Sequence, residues 1–531
     1  MSAALPIYLD YAATTPVDSR VAAGMAECLA AGGVFGNPAS NHAYGRAARE
    51  RVAAARQQTA ALIGARAADV FYTSGATEAD NLAILGLVRG HRAAGGRAAA
   101  AQSGARSAAV APHLITARTE HKAVLDPCHQ LEREGCVVSY LSPDASGRIS
   151  PEQLQAALRP ETVLVSLMHA NNETGVIHDI AAFGALCRAH GAALHVDAAQ
   201  SAGKLPINVA AMAVDLLSFT AHKLYGPKGI GALYAHPARR VGLQPLLYGG
   251  GHERGLRSGT LPVHQIVGFG LACELAAADM AAESARLAGL RARLWEGLAD
   301  LPGVRLNTAL EASLPGLLNV SFTGIEGESL LTGLPELALA SGSACNSDSD
   351  EPSYVLRALG HDRESAQSSL RFSLGRGTSA PQIEVAIAAV RREVLRLRVL
   401  AGAPGRARPA DTGGEAGAGP TATGEAGARE QGTWVRFMLN MREGQIEQAR
   451  FQAYGCPQTL AACEWLAGQL RGRPWNKPGI GGPLDWAQAL ALPPDRLTRL
   501  LVVEDALRAA LAAAQQLGGD RGTMAGQEPT P

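Results

Sequence analysis

Through most of the chain, short unbroken apolar runs alternate with longer segments whose apolar residues recur at helical spacing. Val163 to Met168 and Ala193 to Val196 have the first character, that of strands buried on both faces, and Ile180 to His190 has the second. This alternation predicts an α/β body, a mainly parallel sheet wound with helices. Further strands are expected from Val70 to Tyr72 and from His113 to Thr116, with a helix opening near Asn81. In such sheets ligands gather outside the carboxyl ends of the strands. Asp197 and the segment His169 to Gly175 both fall at such ends.

Two stretches break the pattern. Residues 94–112 are of low complexity and read as a surface insertion between a helix and a strand. Residues 401–432 are rich in Gly, Ala, Pro, Thr and Glu without a large apolar residue, which predicts a flexible linker over 400–432. The chain then divides into a body, 1–399, and a small module, 433–518, followed by a tail, 519–531, expected to be disordered. The module reads as two strands, Trp434 to Met441 and Ile446 to Tyr454, and a helix from Gln458 to Leu470.

Charge adds mostly exclusions. The 48 basic and 48 acidic side chains leave no net field to attract nucleic acid. No run of about 18 uncharged apolar residues stands out as a bilayer span, and the start lacks the pattern of a signal peptide. A cytoplasmic protein with neither a membrane nor a nucleic-acid partner is expected. The eight cysteines show no disulfide framework, and those in the body show no metal-ligand spacing, which suits a reducing compartment with mostly buried thiols.

The candidate chemistry centres on Lys223, set behind His222 and before a glycine-rich turn, some way after Asp197. A lysine holds pyridoxal phosphate as a Schiff base only if its amine can lose its proton. A carboxylate on the pyridine nitrogen keeps the ring an electron sink. Lys223 and Asp197 fit those roles, although such a lysine taken alone is most often a solvated surface residue. Thr73 to Asn81 follows a strand and opens a helix. Its small residues let backbone amides approach a phosphate, with the Thr77 hydroxyl as a further donor. His121 follows the next strand, where an imidazole could lie on a cofactor ring and exchange protons. Cys345 sits in a stretch too polar to be core, which suits a thiolate that attacks a substrate sulfur. The acids at 348, 350 and 351 work against that thiolate.

Tyr8 to Pro16, Gly36 to Ser40, Ser74 to Glu78, Thr119 to Lys122, Asn171 to Gly175, His195 to Gln200, Ala221 to Lys223, Arg257 to Thr260 and Ser341 to Asn346 come in order over residues 5 to about 395. Together they resemble the motifs of group I cysteine desulfurases. The resemblance implies a fold-type I pyridoxal 5'-phosphate enzyme and a homodimer. Its large domain would span about 16–262 and its small domain 1–15 and 263–399. The implied reaction takes sulfur from L-cysteine, leaving L-alanine and a persulfide on Cys345.

Residue by residue, the resemblance implies Lys223 as the Schiff-base lysine, Asp197 on the pyridine nitrogen, Gln200 on the ring hydroxyl and His121 stacked on the ring. Ala76, Thr77, Thr220 and His222 would hold the phosphate, with Thr260 supplied by the neighbouring subunit. Asn172 and Arg371 would fix the substrate carboxylate, Arg371 as a bidentate fork. Thr220 and Ala221 stand where the family more often has Ser-Gly, and the hydroxyl is retained.

Ala449 to Cys456 and the helix after it resemble the iron-sulfur scaffold proteins that receive sulfur from desulfurases. Of that family's three cysteines and aspartate only Cys456 remains, and Arg499 stands at the last cysteine's position. Cys456 falls at a helix N-terminus, where the dipole favours thiolate. Cys463 lies about 10 Å further along at about 1.5 Å per residue, too far for a disulfide. The module is read as a sulfur relay through Cys456, a docking module or a vestige. A selenocysteine lyase or related enzyme is the alternative for the body, and an assembly protein is the alternative of another class. The sulfur acceptor is an iron-sulfur scaffold or another protein.

Overall fold

A computed structural model describes residues 5–103, 111–341, 351–402, 421–493 and 496–523. Apolar runs with both faces buried build a seven-stranded sheet. Its order is Val70–Thr73, Gly231–Ala235, Leu216–Thr220, Ala193–Asp197, Thr162–Met168, His113–Ala117 and Val137–Leu141. Gly231–Ala235 runs antiparallel to both neighbours and the remaining pairs are parallel. Apolar clusters cover the two faces, one around Val165, Val196 and Phe219, the other around Leu114, Leu164 and Leu216. The helix Ala76–Ser103 starts at the turn after the first strand, five residues before its apolar periodicity becomes visible, and runs into the expected insertion.

A four-stranded antiparallel sheet follows, with Ser369–Ser373 between Ala340–Ser341 and Leu317–Phe322. Between the two sheets lies the helix Val263–Glu296, long and apolar enough by length and composition to cross a membrane. Glu274 and Asp279 interrupt it, so it holds no uncharged apolar run of about 18 residues. Its apolar residues Ile266, Phe269 and Cys273 are buried in the same cluster as Val52 and Ala55 of the helix Ala43–Leu62.

The module is a three-stranded antiparallel sheet with helices at Pro457–Leu470, Pro483–Ala489 and Leu497–Thr523. Its first strand, Thr421–Ala428, was expected to be linker and pairs instead along Thr433–Arg442. The physical reason is close packing: a Cβ on Gly424 would stand 2.0 Å from the backbone nitrogen of Ala510. Glycine and alanine are there because a helix lies against the strand, not because the chain is loose. The strand at 421 thus belongs to the module, and residues 403–420 of the expected linker lie outside the described residues. The last helix reaches Thr523, past the expected start of the tail.

The module shares one apolar cluster with the four-stranded sheet, joining Phe372, Val390 and Leu397 to Phe437, Leu466 and Val503. Ser329 donates to the Gly455 carbonyl (2.7 Å), Arg496 pairs with Glu328 (3.3 Å), and Arg429 donates to the Ala401 carbonyl.

One buried ion pair fixes the segment before Thr260. Arg56 forks onto Glu253 at 2.7 and 2.6 Å, and Glu253 also accepts from the backbone N–H of Tyr72 on the first strand (2.8 Å). Removing one partner of such a pair strands the other in a poor dielectric. Glu253→Ala is expected to cost roughly 3–5 kcal/mol in chemical denaturation; a loss below about 1 kcal/mol, the range of an exposed pair, would contradict this.

Candidate active site

Because the strands run parallel, their carboxyl ends lie along one edge of the sheet, and side chains from five of them meet in one cavity of about 580 Å³. Ala76, Thr77, His121, Asn172, Asp197, Gln200, Thr220, His222 and Lys223, nine residues singled out from the sequence, all line it. Parallel register sets Met168 beside Asp197 and Asp197 beside Ser218, so the motifs that follow these strands start level.

At one end, Ser74 to Thr77 form the turn into the helix Ala76–Ser103. Gly231 lies against it: a Cβ there would come within 2.6 Å of the Gly75 backbone. Small residues thus let the helix start sit on the sheet edge, its first-turn N–H groups at the cavity that Thr77, His222 and Lys228 also line. Lys223 ends the single turn Ala221–Lys223, and Tyr225 behind it takes a left-handed φ of 65°. Thr15 holds that turn, accepting from Tyr225 N (2.8 Å) and donating to the His222 carbonyl (2.9 Å).

Asp197 is buried. Its Oδ1 accepts from Ala199 N (2.8 Å). Burial and the nearby Asp80 carboxyl push it up to about 6, against the pull of that N–H, Lys223 and His121. A cation or N–H donor beside it would bring it back down. His121 caps the helix Lys122–Arg133, with Nδ1 accepting from Ala123 N (3.1 Å). That bond puts the proton of the neutral ring on Nε2, and burial holds the ring below its usual pKa.

Arg371 enters from the four-stranded sheet. It donates to the Asn172 carbonyl (2.8 Å) and pairs with Asp10 (2.7 Å). Its Nε and the Asn172 Oδ1 are buried without a hydrogen-bond partner among the described residues, as expected where a polar ligand completes the site.

Thr260 is exposed and does not line this cavity. Cys345 lies outside the described residues. Cys456 caps the helix Pro457–Leu470 as expected, but only 3 % of it is exposed and its Sγ lies 3.3 Å from Thr459 Oγ1. Cys463 is buried and unbridged, its thiol pushed up by burial. The seven described cysteines are all free and buried, and no cluster of metal-ligating side chains occurs among the described residues.

Two buried acids had no sequence signal beyond lying inside the quoted motifs. Asp80, at 3.5 Å from His195 Nε2, is pushed up to about 7 by burial, partly offset by Ser218 and Lys223. Glu120 is raised well above the usual carboxylic range by burial, and its Oε1 accepts from Met168 N (2.7 Å).

The model of the aminotransferase class-V family matches residues 7–385. The chain belongs to that family. Class-V aminotransferases use pyridoxal 5'-phosphate, and the residues present fit it: a helix start for the phosphate, a buried carboxylate for the ring nitrogen and a lysine lining the same cavity. Residues 407–517 match the NifU-like N terminal domain. Among curated class-V relatives, the cysteine desulfurase IscS of Cronobacter sakazakii is 55 % identical over 397 residues, 75 % of this chain and 94 % of that protein. The same protein of Pectobacterium atrosepticum shows equal identity and coverage. Of solved structures, a NifS-like protein matches with a TM-score of 0.65 at 32 % identity, covering 74 % of this chain and all of that one. SspA in complex with cysteine matches at 0.59 and 37 % identity over 70 % of this chain and 99 % of that one.

Glu173, next to Asn172, accepts a hydrogen bond from Ser353, and burial pushes it up to about 7, against the pull of Ser353 and Arg371. Folded, it titrates above its ordinary 4.5, so its stabilising share is complete below that value and is lost as pH rises through about 7. Glu173→Gln keeps an acceptor for Ser353 and removes the titration. Its stability relative to wild type should rise by about 1.4 kcal/mol per pH unit between about pH 5 and pH 7. A difference that stays flat in denaturant titrations across that range would refute the assignment.

Proposed function

We infer that this protein is a cysteine desulfurase that converts L-cysteine to L-alanine and supplies the sulfur for iron-sulfur cluster assembly. The observation that carries this reading is the meeting of Lys223, Asp197, His121 and Asn172 in one cavity, with Arg371 bonded to Asn172 beside it, in a chain 55 % identical to IscS proteins.

The bound cofactor would draw electrons from the substrate's α-carbon. Lys223 would hold it, Asp197 would keep its ring nitrogen charged, and Gln200 would meet its ring oxygen. The helix start at Ala76 and Thr77, with Thr220 and His222, would take the phosphate. Arg371 and Asn172 would fix the substrate carboxylate, and the His121 Nε2–H would serve proton exchange above the ring. Cys345 thiolate would attack the substrate sulfur. The S–S bond forms as the C–S bond breaks, and the carbon keeps the electron pair and takes a proton to give alanine.

Thr260 is exposed on its own subunit. That supports a homodimer in which it completes the neighbour's phosphate site. The free thiols fit a cytoplasmic protein.

For the NifU-like module, the buried Cys456 favours docking over relay, since the interface with Ser329 closes over its neighbour Gly455. Sulfur from labelled L-cysteine is expected to leave Cys456 unlabelled, and Cys456→Ser should change alanine formation less than twofold. Label passing from Cys345 to Cys456 would establish the relay instead.

The test of the activity is alanine and sulfide production from L-cysteine with a thiol reductant, beside the visible spectrum. Cys345→Ser should retain the cofactor band and lose sulfide release, and Lys223→Ala should lose the band. A banded protein inert on L-cysteine but active on selenocysteine would overturn the reading.

A further inference from the structure

Behind Lys223 lies a second, small cavity of about 50 Å³, which shares Gln200 and Lys223 with the larger one and is lined by Lys204. The desulfurase reading gives Lys204 no task. Its Nζ donates to Gln200 Oε1 (3.3 Å), while Gln200 Nε2 donates to the Ala12 carbonyl (2.9 Å).

These two neighbours leave the amide one orientation. An ammonium has only donors, so it must meet the amide oxygen; a carbonyl can only accept, so it must meet the amide nitrogen. One Nε2–H is spent on Ala12, and the second remains for the cofactor cavity that Gln200 lines. Gln200 therefore has an N–H to spare for an oxygen lying there.

The surrounding charges point the same way. Lys223, Arg371 and Glu283 act on Lys204 electrostatically. Glu283 is already held by Arg376 (3.1 Å) and the Tyr225 hydroxyl (3.1 Å). Tyr11 and Tyr225 also line the small cavity. Enclosure, with Lys223 and Arg371 close by, brings the Lys204 ammonium down to about 7, a value that an anion nearby would raise. Lys204 thus adds a cation on the side of Gln200.

We propose that Lys204 is a positioning residue, fixing Gln200 with an N–H turned into the cavity so that the cofactor's ring oxygen is bound as an anion. This rests on the assignment of Lys223 and Gln200 made under the proposed function.

The test is a pH titration of the visible absorption of the full-length chain loaded with pyridoxal 5'-phosphate. Lys204→Met removes both the charge and the donor, and should move the midpoint up by about one pH unit. Lys204→Arg should restore the wild-type midpoint. Lys204→Gln keeps a donor without the charge; it should shift the midpoint the same way by less, and it serves if the Met variant folds poorly. In a Gln200→Leu background the Lys204→Met shift should shrink.

A Lys204→Met protein that binds the cofactor and titrates like wild type would overturn the inference alone, as would an equal shift in the Gln200→Leu background. A wild-type chain that takes up no cofactor would overturn the functional reading and this inference with it.

Discussion

Parallel strand pairing is the constraint on which the site rests. Side chains beyond Thr73, Ala117, Met168, Asp197 and Thr220 reach one cavity because these strands end on the same side of one sheet. Shifting one strand by a single residue would turn its side chains to the opposite face. The apolar clusters on both faces of the sheet hold that register. The precision of the polar site is thus maintained by residues that take no part in its chemistry.

The same burial sets the electrostatics. Asp80, Glu120, Glu173 and Asp197 are pushed up and His121, His195, His222 and Lys204 down, in every case chiefly because water is excluded. A buried group carries charge only when a partner stabilises it. Filling the cavity with a phosphate, a ring nitrogen and a carboxylate would supply partners at several of these points together. Binding and protonation are coupled by the enclosure itself.

The sequence made the site legible where chemistry restricts residue type. Lys223, Asp197, His121 and the small residues around Gly75 stand at strand ends, where a parallel sheet gathers its ligands, and all reach the cavity. The sheet was legible because strands buried on both faces are mostly apolar in unbroken runs. What stayed hidden depends on contacts distant in sequence. The Thr421–Ala428 strand looks like linker because the residue that excludes a side chain at Gly424 is Ala510. Lys204 carries no signal in the sequence, and the fold places it against Gln200. Cys456 reads as reactive from its helix position, and only the packing around Gly455 and Ser329 shows it covered.

The apolar cluster that runs from Phe372 into Phe437 makes the module part of the same folded mass as the small sheet. Each catalytic unit therefore carries one module in a fixed ratio, whatever the abundance of other proteins. A free partner must reach the body by diffusion and competes for its surface. This one arrives with the chain during synthesis, so any rival for that face has to displace a permanent tenant.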